Sequence, residues 1–449
     1  MNDAPEADDV IGRSAMAKAM WRILPLILLA YVMAYMDRVN VSFASLQMND
    51  DLKFSATIYG LGAGLFFLGY ALFEVPSSLM LTRYSAPQWL ARIMVTWGLL
   101  AAGMMFVRLP LHFYVMRFLL GVAEAGFFPS VIYYLAAWFP SSFRARAVSR
   151  IYIASSLASV VMGAISGSLL ALDGTAGLQG WQWLFLAQGL PAVLLGVILL
   201  RLLPDAPATA PWLTGDEKAW IHRELARDAA LVGPPVHHNL LSAFANTRVL
   251  LLGSLGFLTN LAGNGLLLSA PAVLVAGTGF DTAQVGSIVS IGGGLGVVCI
   301  LIAGWNADRH GDRLRDAFVL MVAVAAGLLL LGVASTPAVV ILGYLLFSAT
   351  SFTAGMLLIS SWADVLPVRQ LAVGGAAINT LWQVGNFLSP YAWGMAKDAT
   401  GNFQAGLVGG SVVAVLCALL IIYVRERVMA ERRERATAIG REPVLSAIP

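Results

Sequence analysis

The sequence predicts an all-α polytopic membrane protein, 12 transmembrane helices in two six-helix bundles, on three observations. Apolar runs of about 20 residues, enough to cross a bilayer, recur along the whole chain. Only 12% of the 449 residues are charged, where a soluble domain carries about 25%. One long polar connector divides the runs six and six.

The spans read at about 22–46, 57–80, 88–108, 111–137, 148–172 and 181–203, then 247–277, 282–306, 316–335, 338–360, 370–395 and 403–424. The chain divides accordingly into a tail (1–21), a first bundle (22–203), the connector (204–246), a second bundle (247–424) and a basic tail (425–449). The tail from Arg425 reads as helical at first. Pro204, Pro207, Pro211, Pro234 and Pro235 bracket the connector. Inside it, Thr214 and Glu217 have the spacing of a capping box, which predicts an amphipathic helix at the membrane surface.

Lysine and arginine placement gives the direction. Of 28 basic residues, Arg38 and Arg117 fall within spans. With a cytoplasmic N-terminus, 23 of the rest face the cytoplasm, and only Lys53, Arg108 and Lys397 face outside. Both termini are therefore expected inside. The acidic start, with Asp3, Glu6, Asp8 and Asp9, is unlike a secretory leader.

Several function classes find no support. The net charge of +3 gives no sign of a nucleic-acid partner. No phosphate-binding Gly-x-x-x-x-Gly-Lys-Ser/Thr loop is present. The five histidines have no metal-ligand spacing, no cofactor motif stands out, and no nucleophile–base–acid set points to an enzyme. Cys299 and Cys417 sit in apolar runs and read as thiols facing lipid or core.

A repeated loop supports two related halves. "GWNADRHGDR" (Gly304 to Arg313) links spans eight and nine. Its glycine permits a tight turn, Asp308 can pair with a neighbouring helix end, and Arg309 and the other arginines hold to the cytoplasmic face. The matching loop between spans two and three keeps Arg83 and Arg92 but has lost the acid.

An ionisable residue at membrane depth costs several kcal/mol unless paired or wetted, so each is a functional candidate. Here they are Asp37, Arg38, Glu74, Arg117, Glu124 and, near a cytoplasmic end, Asp364. At about 1.5 Å per residue, Asp37 lies roughly 20 Å from the cytoplasmic face, and Arg117 roughly 10 Å from the outer face. In a core about 30 Å thick these depths coincide, so Asp37 or Arg38 can meet Arg117. Asp37 and Arg38 point about 100° apart on a helix, which lets neighbours serve different duties. Glu124 is seven residues past Arg117 on the same face, and Tyr70 of span two reaches a similar depth.

A structural ion pair joining helices would explain one acid and one arginine. Two arginines suit a bound carboxylate, because guanidinium offers a planar fork of donors. Two acids of differing burial suit proton carriage. Glu74, near the cytoplasmic end, reads as structural or gating. The second half offers neutral amides: Asn379, Gln383 and Asn386 form one stripe of span eleven, and Asn260 and Asn264 one of span seven. These either join helices or line a cavity. Ser155 and Ser159 are weaker candidates.

The stretches "MDRVNVSFA", "FEVPSSLMLTRY", "RFLLGVAEAGFFPSVIYYLAAWFP" and "INTLWQVGNFLSP" together resemble the anion:cation symporter family of the major facilitator superfamily, nearest to its tartrate, phthalate and galactonate-type permeases. The likeness covers nearly all the spans. It implies a monomeric carrier of the bacterial cytoplasmic membrane. Such a carrier takes up an organic acid anion with protons. By position, Asp37 and Glu124 match the family's proton-handling acids, Arg38 its carboxylate ligand and Arg117 an arginine that pairs with the acids. Tyr70 and Asn379 match residues lining the site, which Asn264 would share from span seven. "NLAGNGLLLSAP" and "ISSWADVLP" depart from the family in the half expected to set specificity, so the resemblance names no particular acid. The alternatives are an exporter or antiporter, and a nontransporting sensor. Span five lacks the Gly-Pro motif common among exporters, and no segment is large enough for a signalling domain.

Overall fold

A computed structural model describes residues 3–232, 244–366 and 371–439. The fold is all-α, as the sequence predicts. The first bundle comprises α1 (Asp3–Leu52), α2 (Ala56–Leu79), α3 (Ala86–Gly103), α4 (Pro110–Glu124), α5 (Phe127–Trp138), α6 (Ser141–Leu170) and α7 (Gly180–Leu202). The connector contributes α8 (Gly215–Val232). The second bundle comprises α9 (Thr247–Thr278), α10 (Thr282–His310), α11 (Arg313–Val333), α12 (Pro337–Ser360), α13 (Leu371–Thr400) and α14 (Gln404–Ile439). Among the described residues, eleven spans are long and apolar enough to cross a membrane, with α4 and α5 together forming one. The twelfth predicted span is α13, which is long enough but falls short in hydropathy because of its amides.

Three elements differ from the sequence reading. First, the expected N-terminal tail is helical from Asp3, because its alanine-rich stretch carries straight into the first span. Second, α8 docks on that extension. Gly12 packs against the Trp220 ring, and Asp8 pairs with Arg223 at 2.5 Å. The predicted capping box forms: Glu217 accepts from the Thr214 N–H at 2.9 Å, and Thr214 Oγ1 accepts from the Glu217 N–H at 3.3 Å. Glu217 also accepts from Ser14 and from Lys18 Nζ, each at 2.7 Å. Asp228 reaches the start of α6, accepting from Ser141 N at 2.6 Å. The connector helix thus belongs structurally to the first bundle.

Third, the fourth span is broken. Pro129 has no N–H and would clash with the carbonyl of Ala125 in a continuous helix. The chain therefore stops at Glu124, turns through Gly126 at φ +84°, and restarts at Phe127. Gly126 lies against Ser77 of α2 so closely that a Cβ would overlap the hydroxyl.

The two bundles meet through α2 with α13, α6 with α10, and α1 with α9. The closest backbone approaches all lie at the end opposite the connector. Gly163 of α6 and Gly286 of α10 face each other so tightly that a Cβ on either would strike the other's carbonyl oxygen. At the same end Asp398 of α13 caps α2, accepting from Ala56 N at 3.0 Å and Thr57 N at 2.8 Å. Tyr59 donates to the Leu268 carbonyl at 2.5 Å.

In the 304–313 loop, α10 runs unbroken to His310, and the turn falls at Gly311, φ +69°, rather than at Gly304. The acid tying this loop to another helix is Asp312, 2.7 Å from Arg425 of α14. Arg309 lies over the Trp305 ring at 5.3 Å. The side chains of Asp308 and Asp364 lie outside the described set.

Two outcomes follow. Gly126→Ala should lower thermal stability in detergent by about 1–2 kcal/mol from the left-handed backbone alone, more from the overlap with Ser77, and adding Ser77→Gly should recover only the steric part. Burial opposes ionisation of Glu217, but its bonds from Lys18, Thr214 and Ser14 outweigh that and pull its pKa down to about 2. Its contribution to stability is then complete above the usual 4.5 and is lost as pH falls from there toward about 2. The melting-temperature gap between wild type and Glu217→Gln should be widest near neutral pH and should close across that window.

Candidate functional site

Four of the charged residues singled out in the sequence, Asp37 and Arg38 of α1 and Arg117 and Glu124 of α4, converge beside α2. Asp37, Arg117 and Glu124 are each 1% exposed. The Arg38 side chain is 22% exposed, the most open of the four.

Arg38 of α1 pairs with Glu124 of α4, its Nη2 2.5 Å from Oε1. Arg38 also lies over three rings: Tyr35 at 5.0 Å, Tyr70 at 5.4 Å and Phe66 at 5.7 Å. Arg117 lies over Phe66 as well, at 4.9 Å. A desolvated cation over an aromatic face gains up to about 2 kcal/mol. The Phe66 ring is therefore shared by two like charges. α4 can come this near because Gly121 packs directly on the α2 backbone at Phe66 and Tyr70.

The expected meeting of Asp37 or Arg38 with Arg117 takes a different form. No carboxylate among the described residues lies within ion-pair distance of Arg117. Its three side-chain nitrogens are buried without a hydrogen-bond partner, while Asp37 acts on it through space. Asp37 instead keeps company with amides. Asn40 Nδ2 donates to Asp37 Oδ1 at 3.4 Å and, more closely, to Gln188 Oε1 of α7. The Trp97 indole N–H approaches Asp37 but misses good geometry, so Trp97 Nε1 and Asp37 Oδ2 both stay unpartnered. Adjacent residues on α1 thus face different partners, as their angular offset predicts.

The neutral amides of the second half divide. Asn260 Nδ2 donates to the Trp382 carbonyl at 3.1 Å, and Asn264 Nδ2 to the Asn386 carbonyl at 2.9 Å. Asn386 Nδ2 donates to Gln383 Oε1 at 2.7 Å. The first two bonds join α9 to α13 and the third stays within α13, so the Asn264 amide is engaged in helix packing and is not gathered with the charged set. Asn379 does cross between bundles: its Nδ2 donates to Glu74 Oε2 at 2.6 Å.

Sequence reasoning missed Phe66, Tyr35, Asn40, Gln188 and Trp97. Two carried a signal. Phe66 precedes Tyr70 by four residues, one helical turn, and Asn40 follows Asp37 by three.

Two six-helix bundles packed around buried acids and arginines define a membrane carrier of the secondary-transporter class. The chain belongs to the Major Facilitator Superfamily, whose family model matches residues 27–390. It is 38% identical over 406 residues to a protein of Agrobacterium vitis named "Putative tartrate transporter", covering 90% of each chain. It is 38% identical over 414 residues to a quinolone resistance transporter of Acinetobacter baumannii, covering 90% of this chain and 93% of that one. Among solved structures it is similar to the inward-open conformation of the xylose transporter XylE from E. coli, with a TM-score of 0.72, 15% identity, and coverage of 90% and 95%. That likeness speaks to the fold alone.

The shared ring gives a test. Phe66→Leu should cost about 1–2 kcal/mol more in thermal unfolding than Phe43→Leu, a change at an equally buried phenylalanine with no cation beside it.

Proposed function

We propose that this chain is a proton-coupled symporter that takes up an organic acid anion across a bacterial cytoplasmic membrane by alternating access. The observation that carries the reading is the Arg38–Glu124 pair. At 2.5 Å, Glu124 occupies the guanidinium that an incoming carboxylate needs. Protonating Glu124 removes the competing charge and frees Arg38 for the anion.

Charge balance extends the argument. With Asp37, Arg38, Arg117 and Glu124 all ionised the set sums to zero. With both acids protonated it carries two positive charges at membrane depth, which an anion neutralises. Anion binding and protonation therefore favour each other. Tyr70 holds Arg38 in place, and Glu74 with Asn379 links the bundles beneath the site. Placing the connector in the cytoplasm, as the lysine and arginine distribution supports, makes the sealed end the outer one. The bundles then rock about the site, and release inward returns the protons to the cytoplasm. The substrate class is a small carboxylate such as tartrate, phthalate or a sugar acid, and the name of the Agrobacterium relative supports tartrate first.

Uptake of radiolabelled tartrate, phthalate and galactonate into proteoliposomes tests this. One of them should accumulate only with an inward proton gradient. Arg38→Ala should cut uptake about 10- to 100-fold, the worth of a charge-assisted hydrogen bond. Asp37→Asn and Glu124→Gln should abolish accumulation while sparing exchange. Wild-type uptake indifferent to the gradient would sink the coupling.

The second reading, drug export in exchange for protons, is favoured by the Acinetobacter relative's name. Everted vesicles that accumulate a quinolone, with no carboxylate uptake in right-side-out vesicles, would support it instead.

A further inference from the structure

We propose that the Asn40–Gln188 amide pair is a two-position reader of the proton on Asp37, so that both are positioning residues for coupling. The inference rests on the reading of Asp37 as a proton-handling acid.

The geometry has three parts. Asn40 and Gln188 are buried at 0% and 5% exposure, on α1 and α7, with no bulk water to complete their hydrogen bonds. A buried amide left half-satisfied costs about 1–3 kcal/mol. Yet Asn40 Oδ1, Gln188 Nε2 and Asp37 Oδ2 are all without partners. The bonds that are made run in one direction: the Asn40 amide nitrogen donates to Gln188 Oε1 and to Asp37 Oδ1. That arrangement suits an ionised Asp37, which only accepts.

A proton arriving from water on Asp37 turns one carboxyl oxygen into a donor. Where that oxygen is Oδ1 it meets Asn40 Nδ2 donor to donor, and Asn40 Nδ2 can no longer serve both neighbours. A half-turn of the Asn40 amide presents its unused Oδ1 to the new O–H. Gln188, turned likewise, offers its unused Nε2 to Asn40 Oδ1. Each position makes two bonds through the Asn40 amide, one position for each protonation state. No heavy-atom bond is made or broken; one proton moves from solvent to the carboxyl.

The other groups around Asp37 cannot read its proton in this way. Arg38 beside it on α1 and Arg117 from α4 are donors only, and α3 presents the Trp97 N–H, also a donor. Glu124 of α4 acts on Asp37 through space, and its carboxylate is held by Arg38. From α7 neutral Gln188 reaches Asp37 through Asn40. Gln188 is thus the route by which the proton on α1 is felt by α7.

Infrared difference titration of the purified full chain in lipid vesicles, with no substrate added, tests the proposal. The band is the protonated-carboxyl C=O stretch that Asp37→Asn removes. In Asn40→Leu the pH midpoint of that band should rise by about half to one unit, a threefold to tenfold gain in proton affinity, because the ionised carboxyl loses its aimed donor. Its frequency should shift as well. Gln188→Met, which takes away the second partner of the Asn40 amide, should shift the band's frequency and guards against an Asn40 variant that fails to fold. A merely structural role would lower stability without moving midpoint or frequency. If both variants leave the band in place, the inference is wrong while Asp37 remains the proton site. If Asp37→Asn removes no band and leaves proton-driven uptake intact, the reading of Asp37 falls, and this inference with it.

Discussion

The Arg38–Glu124 ion pair is the interaction on which the centre of the first bundle depends. Glu124 is the last residue of α4, where unpaired carbonyls give the helix end a partial negative charge. A carboxylate there gains nothing from its own helix and is held by Arg38 of α1. The break at Gly126 is what places it so. A continuous fourth span would have run past this point with its backbone groups satisfied. Arg38 in turn is steered by three rings, and Phe66 among them also carries Arg117. Removing any member exposes a charge that the bilayer cannot solvate.

The two halves share a fold but not a chemistry. The first bundle gathers the charges, and the described amides of the second are largely spent on holding α9 to α13. Glu74–Asn379 is the point where the two chemistries touch. A neutral donor there lets the bundles part without stranding two opposite charges, and separation costs one hydrogen bond, about 0.5–1.5 kcal/mol net.

The fold was largely legible from hydropathy, since bilayer thickness fixes span length and the connector stands out by composition. Residue depth, counted along helices, brought Asp37 and Arg38 level with Arg117 and set Glu124 and Tyr70 about two turns deeper. It could not say which acid each arginine faces, because depth fixes height and leaves rotation open. Phe66 and Gln188 were illegible for a related reason. An aromatic ring in an apolar run looks like core, and a lone glutamine has no periodicity; only neighbours from other helices give them meaning. The helix break was written in the sequence, in Gly126 and Pro129, but proline is tolerated in many membrane helices and does not announce a break by itself. The helical N-terminus was hidden by its acidic start, which read as a solvated tail.

The low hydropathy of α13 bears on how the molecule is made. Asn379, Gln383 and Asn386 put it below the apolarity of its fellow spans, so its partitioning into lipid as a lone segment is weak. The groups that answer its polar atoms lie on α9 and α2, both earlier in the chain. Emerging from the ribosome after both, α13 finds those partners already in the bilayer. Its insertion is thus templated by helices made before it, and a shortened chain that began after α9 would leave this segment without a home.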